Sequence, residues 1–266
     1  MLRDITIGQY YKTDSILHKL DPRVKLFGTL VFLVTLFMSK SIWGYLVAIV
    51  FIFGAIKLSK VPMGFIFKGL KSIVFIILFS VSFTLLFTEG ERLLFQFGII
   101  NISVEGIIKS IEISVRLVLM IIGSSLVTLT TTPNDIADGL EKAFGFLKVI
   151  KLPVHEIAMM VSIAFRFIPI LMEETDKIMK AQAARGACFD EGGFLDKAKS
   201  LVPIIVPLLV SSIRRALDLA TAMEARCYRG GQGRTKMKPL KYRGADYLAY
   251  AVYLLYIVIE VLILWL

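Results

Sequence analysis

The sequence is poor in the residues that form metal, disulfide and nucleotide sites. It has two cysteines, Cys188 and Cys227, and two histidines, His18 and His155. These four residues cannot make a ligand cluster at the spacings of known metal sites, so we expect no metal on this chain. The Gly-rich stretch 229–234 lacks the GxxxxGK[ST] spacing of a phosphate-binding loop and is typical of a flexible linker. We therefore expect no cofactor on this chain.

Polar residues are also scarce, which excludes an ordinary soluble protein. Hydrophobic residues make up 56% of the 266 positions, and the mean hydropathy is +0.75. This composition predicts an all-α integral membrane protein with about five transmembrane helices. The net charge of +10 favours cytoplasmic loops rich in lysine and arginine over binding to nucleic acid. The start of the chain has no short apolar core after basic residues, so we expect no removable signal peptide.

Apolar runs predict four spans in an N-terminal membrane domain over residues 1–132 and a fifth within residues 244–266. The spans are expected near residues 24–39, 42–56, 70–87, 113–132 and 245–266. Lysine and arginine collect in loops that stay in the cytoplasm, so we expect a cytoplasmic N-terminus and an outside C-terminus. Asp21-Pro22 and Thr132-Pro133 each predict a helix start, an N-cap side chain followed by proline. Arg23 and Lys25 are expected at the cytoplasmic membrane interface.

Residues 133–243 are rich in lysine and arginine and are predicted to form a cytoplasmic coupling domain. Helices are expected near residues 134–147, 153–186 and 193–228. Residues 154–172 are also apolar enough to suggest a span, but His155, Glu156 and Arg166 would be costly inside a bilayer. Such a span would also place several basic residues on the outer side of the membrane. We therefore favour the cytoplasmic placement and keep the span as the alternative.

The two long predicted helices end in similar tripeptides, Ala184-Arg185-Gly186 and Ala225-Arg226-Cys227. An arginine at a helix C-terminus commonly stabilises the last carbonyls and the macrodipole. The repetition of an arginine between small residues favours another role, in which each arginine enters an acidic groove of a partner. The duplication predicts a partner with two-fold or pseudo-two-fold symmetry.

The first half of each long helix is apolar on more than one face. Such a helix needs two apolar neighbours, and a partner protein is a natural candidate for one of them. The residues that we expect to contact this partner are Met159, Met160, Ile163, Phe167 and Ile170 in the first helix and Ile204, Ile205 and Val206 in the second.

Five segments, in this order along the chain, resemble the transmembrane T component of energy-coupling factor transporters, the family that includes the cobalt-transport permeases. The segments are Leu20-Asp21-Pro22-Arg23-Val24-Lys25, Thr131-Thr132-Pro133, Arg166-Phe167-Ile168-Pro169 with Glu173, Ala181-Gln182-Ala183-Ala184-Arg185-Gly186 and Ala222-Met223-Glu224-Ala225-Arg226. The resemblance implies a multi-pass protein of a bacterial or archaeal cell membrane. It also implies a non-enzymatic subunit of an ATP-driven importer of vitamins or other micronutrients.

The same resemblance implies the partners and the roles of the site residues. Two cytoplasmic ATPase subunits, which carry ATP and magnesium, would receive Arg185 and Arg226 in their grooves. The two helices would relay ATP-driven closure to a substrate-binding membrane S component. Ala184, Gly186 and Ala225 would let the backbone approach the ATPases closely. Cys227 stands where the family more often has glycine, so the second helix end is expected to fit less closely.

Two other functions compete with this one. A stand-alone secondary transporter or channel should carry charged or helix-breaking residues inside its spans, and the predicted spans are poor in both. A membrane enzyme could use the adjacent carboxylates Glu173 and Glu174, but a protease of the EExxxR type would need arginine where Ile178 stands. The two carboxylates are better explained as partners of Lys177 on a solvated helix face.

Overall fold

The computed structural model describes residues 10–39, 41–71, 73–88, 93–97, 100–144, 153–187, 193–230 and 240–265. These residues contain ten α-helices and one β-hairpin. In chain order the elements are α1 (Ile16–Lys19), α2 (Pro22–Met38), α3 (Ile42–Ser59), α4 (Met63–Lys71), α5 (Val74–Phe87), β1 (Leu93–Phe97), β2 (Ile100–Ser103), α6 (Val104–Thr130), α7 (Pro133–Ala143), α8 (Val154–Ala184), α9 (Phe194–Ala225) and α10 (Gly244–Trp265).

The prediction of an all-α membrane fold is confirmed, with one local addition. β1 and β2 form a two-stranded antiparallel sheet in a segment that we predicted to be an outside loop. α6 begins at Val104, nine residues before the start expected for this span at residue 113, and the start of the span itself stays a prediction. The start of α6 is fixed by the Ser103 hydroxyl, which accepts the Gly106 N–H at 3.0 Å as an N-cap.

The span predicted over residues 70–87 is not one helix. The structure has two helices there, α4 and α5, and the Ile73 N–H bonds the Leu70 carbonyl at 2.9 Å in a tight turn. α5 alone has 14 residues, fewer than the roughly 20 that a straight crossing needs. Only the bent pair taken together is long enough for this span.

Five of the described helices are long and apolar enough to cross a membrane: α3, α6, α8, α9 and α10. The bent pair of α4 and α5 would make a sixth. α2 has 17 residues and is slightly shorter than these helices, although it was predicted to be a span. α8 and α9 fit a crossing by composition because each contains an apolar window of 18 residues with no more than two charged residues. The cytoplasmic placement of α8 and α9 therefore stays a prediction.

The described residues form two compact units, one of residues 10–139 with 240–265 and the other of residues 140–230. In the first unit, α10 packs against α2 and α3, and α6 packs against α2, α3, α4 and α5. The core is apolar and aromatic, with Phe32, Leu36, Ile52, Leu126 and Tyr256 among its buried members. The last helix is thus an integral part of the unit that the first helices form.

Buried polar groups tie the starts of α2 and α10 together. The Asp246 carboxylate, which is 1% exposed, accepts the Asp21 N–H at 2.8 Å and the Arg243 N–H at 2.6 Å. Asp21 in turn caps α2 by accepting the Arg23 N–H at 3.0 Å and pairs with the Arg23 guanidinium at 2.9 Å. The predicted Asp21 N-cap is confirmed, and so is that of Thr132, whose hydroxyl accepts the Asp135 N–H at 3.2 Å.

The C-terminal carbonyls of α6 are also satisfied inside this unit. The Tyr11 N–H bonds the Leu129 carbonyl, and the Lys25 ammonium bonds the Thr130 carbonyl, both at 2.9 Å. Lys25 is buried in this position, and its place at the cytoplasmic membrane interface stays a prediction. A lysine at the end of a helix satisfies orphan carbonyls and the negative end of the macrodipole at once, which explains its burial.

Close packing between α2 and α6 depends on Gly123. A Cβ at this position would lie 2.8 Å from two ring carbons of the buried Phe32. We predict that Gly123→Ala lowers the unfolding temperature in detergent, because overpacking costs about 1–3 kcal/mol. The matched control is Gly54→Ala, where a Cβ meets nothing within 4 Å and alanine should instead favour the helix. Equal stability of the two variants would contradict this packing.

Candidate functional site at two helix ends

Helix α8 ends in a Schellman motif built by the residues predicted as a docking site. Its last helical residue is Ala184, and Arg185 is the C-cap. The Ala187 N–H bonds the Gln182 carbonyl and the Gly186 N–H bonds the Ala183 carbonyl, both at 3.0 Å. Gly186 has a φ of +88°, the left-handed conformation that this motif requires and that glycine adopts without strain.

Helix α9 ends in the same motif, with the same hydrogen bonds at equivalent positions. The Tyr228 N–H bonds the Met223 carbonyl at 3.0 Å and the Cys227 N–H bonds the Glu224 carbonyl at 2.8 Å. Arg226 therefore occupies the position that Arg185 has in α8. Cys227 takes the left-handed position with a φ of +54°, which costs a residue with a Cβ about 1 kcal/mol. The departure from glycine at Cys227 thus keeps the backbone geometry, at a cost in strain.

In the described part of the chain, both arginine side chains are accessible to solvent. Arg185 and Arg226 are exposed, as are Ala184, Gly186, Ala225 and Cys227 beside them. Backbone N–H groups already satisfy the last carbonyls of each helix, so the guanidinium groups are not needed as caps. Within the described parts of the chain, neither guanidinium makes an ion pair. In this geometry the two arginines are therefore not required for helix capping.

The two helices contact each other through an ion pair at matching positions. Arg215 of α9 lies 2.9 Å from the Glu174 carboxylate of α8. The distance from Glu174 to Arg185 along the sequence equals that from Arg215 to Arg226, since 185 − 174 and 226 − 215 are both 11. Equivalent residues of the two helices thus face each other, as they do across a pseudo-two-fold axis. The predicted pairing of Glu173 and Glu174 with Lys177 is wrong for Glu174, whose partner is on the other helix.

A proline provides a second contact between the helices. Pro207 has no N–H, so the Pro203 carbonyl one turn earlier has no partner for the usual helical bond. The Gln182 side-chain amide of α8 lies 3.4 Å from this carbonyl and donates to it. Gln182 thus takes part both in the end motif of α8 and in the contact with α9.

These contacts place the two helix ends on opposite sides of the crossing. Moving toward the C-terminus of α8, from Glu174 to Gln182, leads toward the N-terminus of α9, from Arg215 to Pro203. Each arginine lies 11 residues beyond the ion pair, or about 16 Å at a rise of 1.5 Å per residue. Arg185 and Arg226 are consequently separated by a distance on the order of 30 Å.

The apolar residues predicted to contact a partner are not equally accessible. Met160, Ile205 and Val206 are exposed, and Met159, Ile163, Phe167 and Ile170 are half-buried. Ile204 is only 5% exposed, so its side chain is already covered. The exposed stripe of α9 extends further than predicted, through Leu209, Ile213 and Leu217. Their four-residue spacing is the signal that would have found them in the sequence.

Residues 13–237 match the cobalt transport protein family CbiQ. The chain belongs to this family. The match includes all five segments with the T-component pattern and both helix ends described above. The recognition made from those segments is therefore confirmed.

Relatives of this CbiQ family member include energy-coupling factor transporter transmembrane proteins, each named EcfT. The protein of Clostridium kluyveri is 49% identical over 263 residues, which cover 98% of this chain and 97% of the relative. That of Ruminiclostridium cellulolyticum is 48% identical over 248 residues, with 93% and 92% covered. That of Bacillus subtilis is 45% identical over 246 residues, with 92% and 93% covered. The chain is thus a multi-pass membrane component of the energy-coupling factor type.

The ion pair between the helices can be tested by reversing it. We predict that Glu174→Arg and Arg215→Glu each lower the unfolding temperature slightly, and that the double variant recovers most of the loss. Both side chains are partly exposed, so the expected coupling is about 1 kcal/mol or less. Glu173→Arg is the matched control, because Glu173 is exposed and no described ion pair includes it. Additive losses in the double variant would contradict the pairing.

The strain at the end of α9 gives another prediction. Cys227→Gly should slow hydrogen exchange of the Tyr228 amide, whose bond closes the motif, by about fivefold. The expected gain follows from removing the Cβ from a left-handed residue. Cys227→Ala is the control, because it removes the sulfur and keeps the Cβ, and its exchange rate should stay near that of the natural chain. Equal protection by glycine and alanine would contradict the strain at Cys227.

Proposed function

We propose that this chain is the transmembrane coupling subunit of an ATP-driven importer of vitamins or other micronutrients. It links two cytoplasmic ATPase subunits to a substrate-binding membrane S component. The ATPases carry ATP and magnesium, and this chain has no catalytic role. The N-terminus lies in the cytoplasm and the C-terminus outside.

The pseudo-two-fold arrangement of the two helix ends is the observation that carries this proposal. Equivalent residues pair at Glu174 and Arg215, and identical end motifs present Arg185 and Arg226 at equal distances from that pair. Such a site fits a partner that offers two equivalent acidic grooves on the order of 30 Å apart. A pair of ATPase subunits related by two-fold symmetry meets this requirement.

The apolar stripes of α8 and α9 supply the second half of the proposal. Met160, Ile205, Val206 and the continuation through Leu209 form exposed apolar surface. Exposed apolar surface on a helix that also carries charged residues is typical of a contact with another protein. An S component in the same membrane is the partner that we assign to it. Because α8 and α9 contact each other, movement at the arginine ends would reach this surface through the same helices.

Charge reversal at both ends tests the docking. Arg185→Glu together with Arg226→Glu should reduce co-purification of the ATPase subunits at least tenfold, because each glutamate would face an acidic groove. Each single variant should retain partial binding, since the other end still engages its groove. The protein itself should remain in the membrane fraction at its normal level.

The matched control changes the same charge on the same two helices. Lys180→Glu together with Arg214→Glu reverses two exposed cations away from the helix ends. This variant should co-purify with the ATPases nearly as the natural chain does. A normal ATPase yield from the Arg185 and Arg226 double variant would refute the docking proposal. Substrate uptake by the single purified chain in vesicles without ATP would instead favour a stand-alone transporter.

A further inference from the structure

Helix α10 carries a buried carboxylate that nothing in the proposed coupling function uses. Glu260 is 6% exposed, and its Oε1 atom has no hydrogen-bond partner among the described residues. The Tyr256 hydroxyl, one turn earlier, interacts with the same carboxyl group. Ionisable groups in apolar helices of membrane proteins usually have a partner of opposite charge. Glu260 therefore points to a ligand that supplies one.

Glu260 lines a cavity of about 730 Å³ at the turn between α2 and α3. The other lining residues are Phe37, Met38, Ser39, Ser41, Ile263 and Leu264. Gly44 keeps the polar wall compact, because a Cβ there would lie 2.1 Å from the Ser39 hydroxyl and 2.9 Å from the Glu260 Oε2 atom. The cavity thus has a carboxylate and a hydroxyl close together on one wall and apolar side chains around them.

The nearby Arg116 does not neutralise Glu260. Its Nη2 atom donates to the Ser39 carbonyl at 3.0 Å and to the Tyr45 hydroxyl at 2.6 Å, and its Nε atom donates to the same hydroxyl at 3.1 Å. No ion pair joins it to Glu260 within the described part of the chain. Lys40 lies between Ser39 and Ser41 in the sequence and is outside the described residues, so the experiment below includes it.

We propose that this cavity binds the headgroup of a membrane lipid with a primary ammonium, of the phosphatidylethanolamine class. The ammonium has three N–H donors, which suit the Glu260 carboxylate and the Ser39 hydroxyl. Phe37, Met38 and Leu264 are exposed at the cavity and offer an apolar surface to the acyl chains. The site lies near the ends of α2 and α10. If these helices cross the membrane, their ends lie where a lipid headgroup meets its acyl chains. A small hydrated cation would leave this apolar surface uncovered.

The test measures which lipids remain bound to the full-length chain. The chain is purified in micelles with equal amounts of phosphatidylethanolamine and phosphatidylcholine of the same acyl chains, and retained lipid is counted by mass spectrometry. We expect about tenfold enrichment of phosphatidylethanolamine, the value of one charge-assisted hydrogen bond. Monomethyl and dimethyl derivatives should fall between the two, because each methyl group removes one N–H donor. This comparison of lipids uses only the natural chain, so its result does not depend on whether a variant folds.

Glu260→Gln should abolish the preference, so that the ratio of retained phosphatidylethanolamine to phosphatidylcholine falls to about 1. Glu260→Asp should keep part of the preference. Glu112→Gln, a half-buried carboxylate of α6 outside the cavity, is the matched control and should enrich phosphatidylethanolamine as the natural chain does. Equal retention of both lipids by the natural chain, or normal enrichment in Glu260→Gln, would overturn the proposal. Enrichment that appears only in Lys40→Met would also overturn it, because Lys40 would then be the natural partner of Glu260. ATPase docking is unaffected by either result.

Discussion

The bond from the Asp21 N–H to the Asp246 carboxylate is the polar contact that ties the two distant parts of the first unit together. It joins residues 225 positions apart, at the starts of α2 and α10. A buried carboxylate is costly unless it is hydrogen-bonded, and here the backbone N–H groups of Asp21 and Arg243 each bond one of its oxygens. The same Asp21 caps α2 and orients Arg23 over the ring of Tyr242, 4.1 Å from its centre. A short sequence motif thus joins the first helices of the unit to its last helix.

In the second unit the decisive constraint is the left-handed residue that ends each long helix. This conformation lets backbone N–H groups satisfy the last carbonyls, and it leaves the arginine at the C-cap without a capping task. The small residues around each arginine are therefore explained by two requirements that coincide. Glycine favours the turn, and small side chains would leave room for the partner proposed above. Cys227 meets the first requirement under strain and the second without difficulty.

Family membership, the all-α class and the C-terminal ends of α8 and α9 could be predicted from the sequence. Composition required a membrane protein, the segments around Asp21 and Arg185 identified the family, and N-caps at Asp21 and Thr132 gave helix starts within a residue or two. These features are local, because a cap or a Schellman motif needs only a few neighbouring residues. The break after Lys71 was missed because apolar residues continue across it. The start of α6 at Val104 was missed because the charged residues Glu105, Lys109 and Glu112 favoured a loop there.

Contacts between distant residues were decided by the tertiary structure alone. Neither the burial of Lys25 at the end of α6 nor the pairing of Glu174 with Arg215 could be deduced from spacing, because each charge has nearer candidates along the chain. The bond from Gln182 to the Pro203 carbonyl could not be deduced from the sequence either. Nor could the absence of a hydrogen-bond partner for Oε1 of Glu260 among the described residues. The sequence by itself determined which residues end the two helices and that the chain belongs in a membrane. Only the packing of α8 on α9 set those ends at matching distances from one ion pair, because a pseudo-two-fold relation exists only between elements in contact.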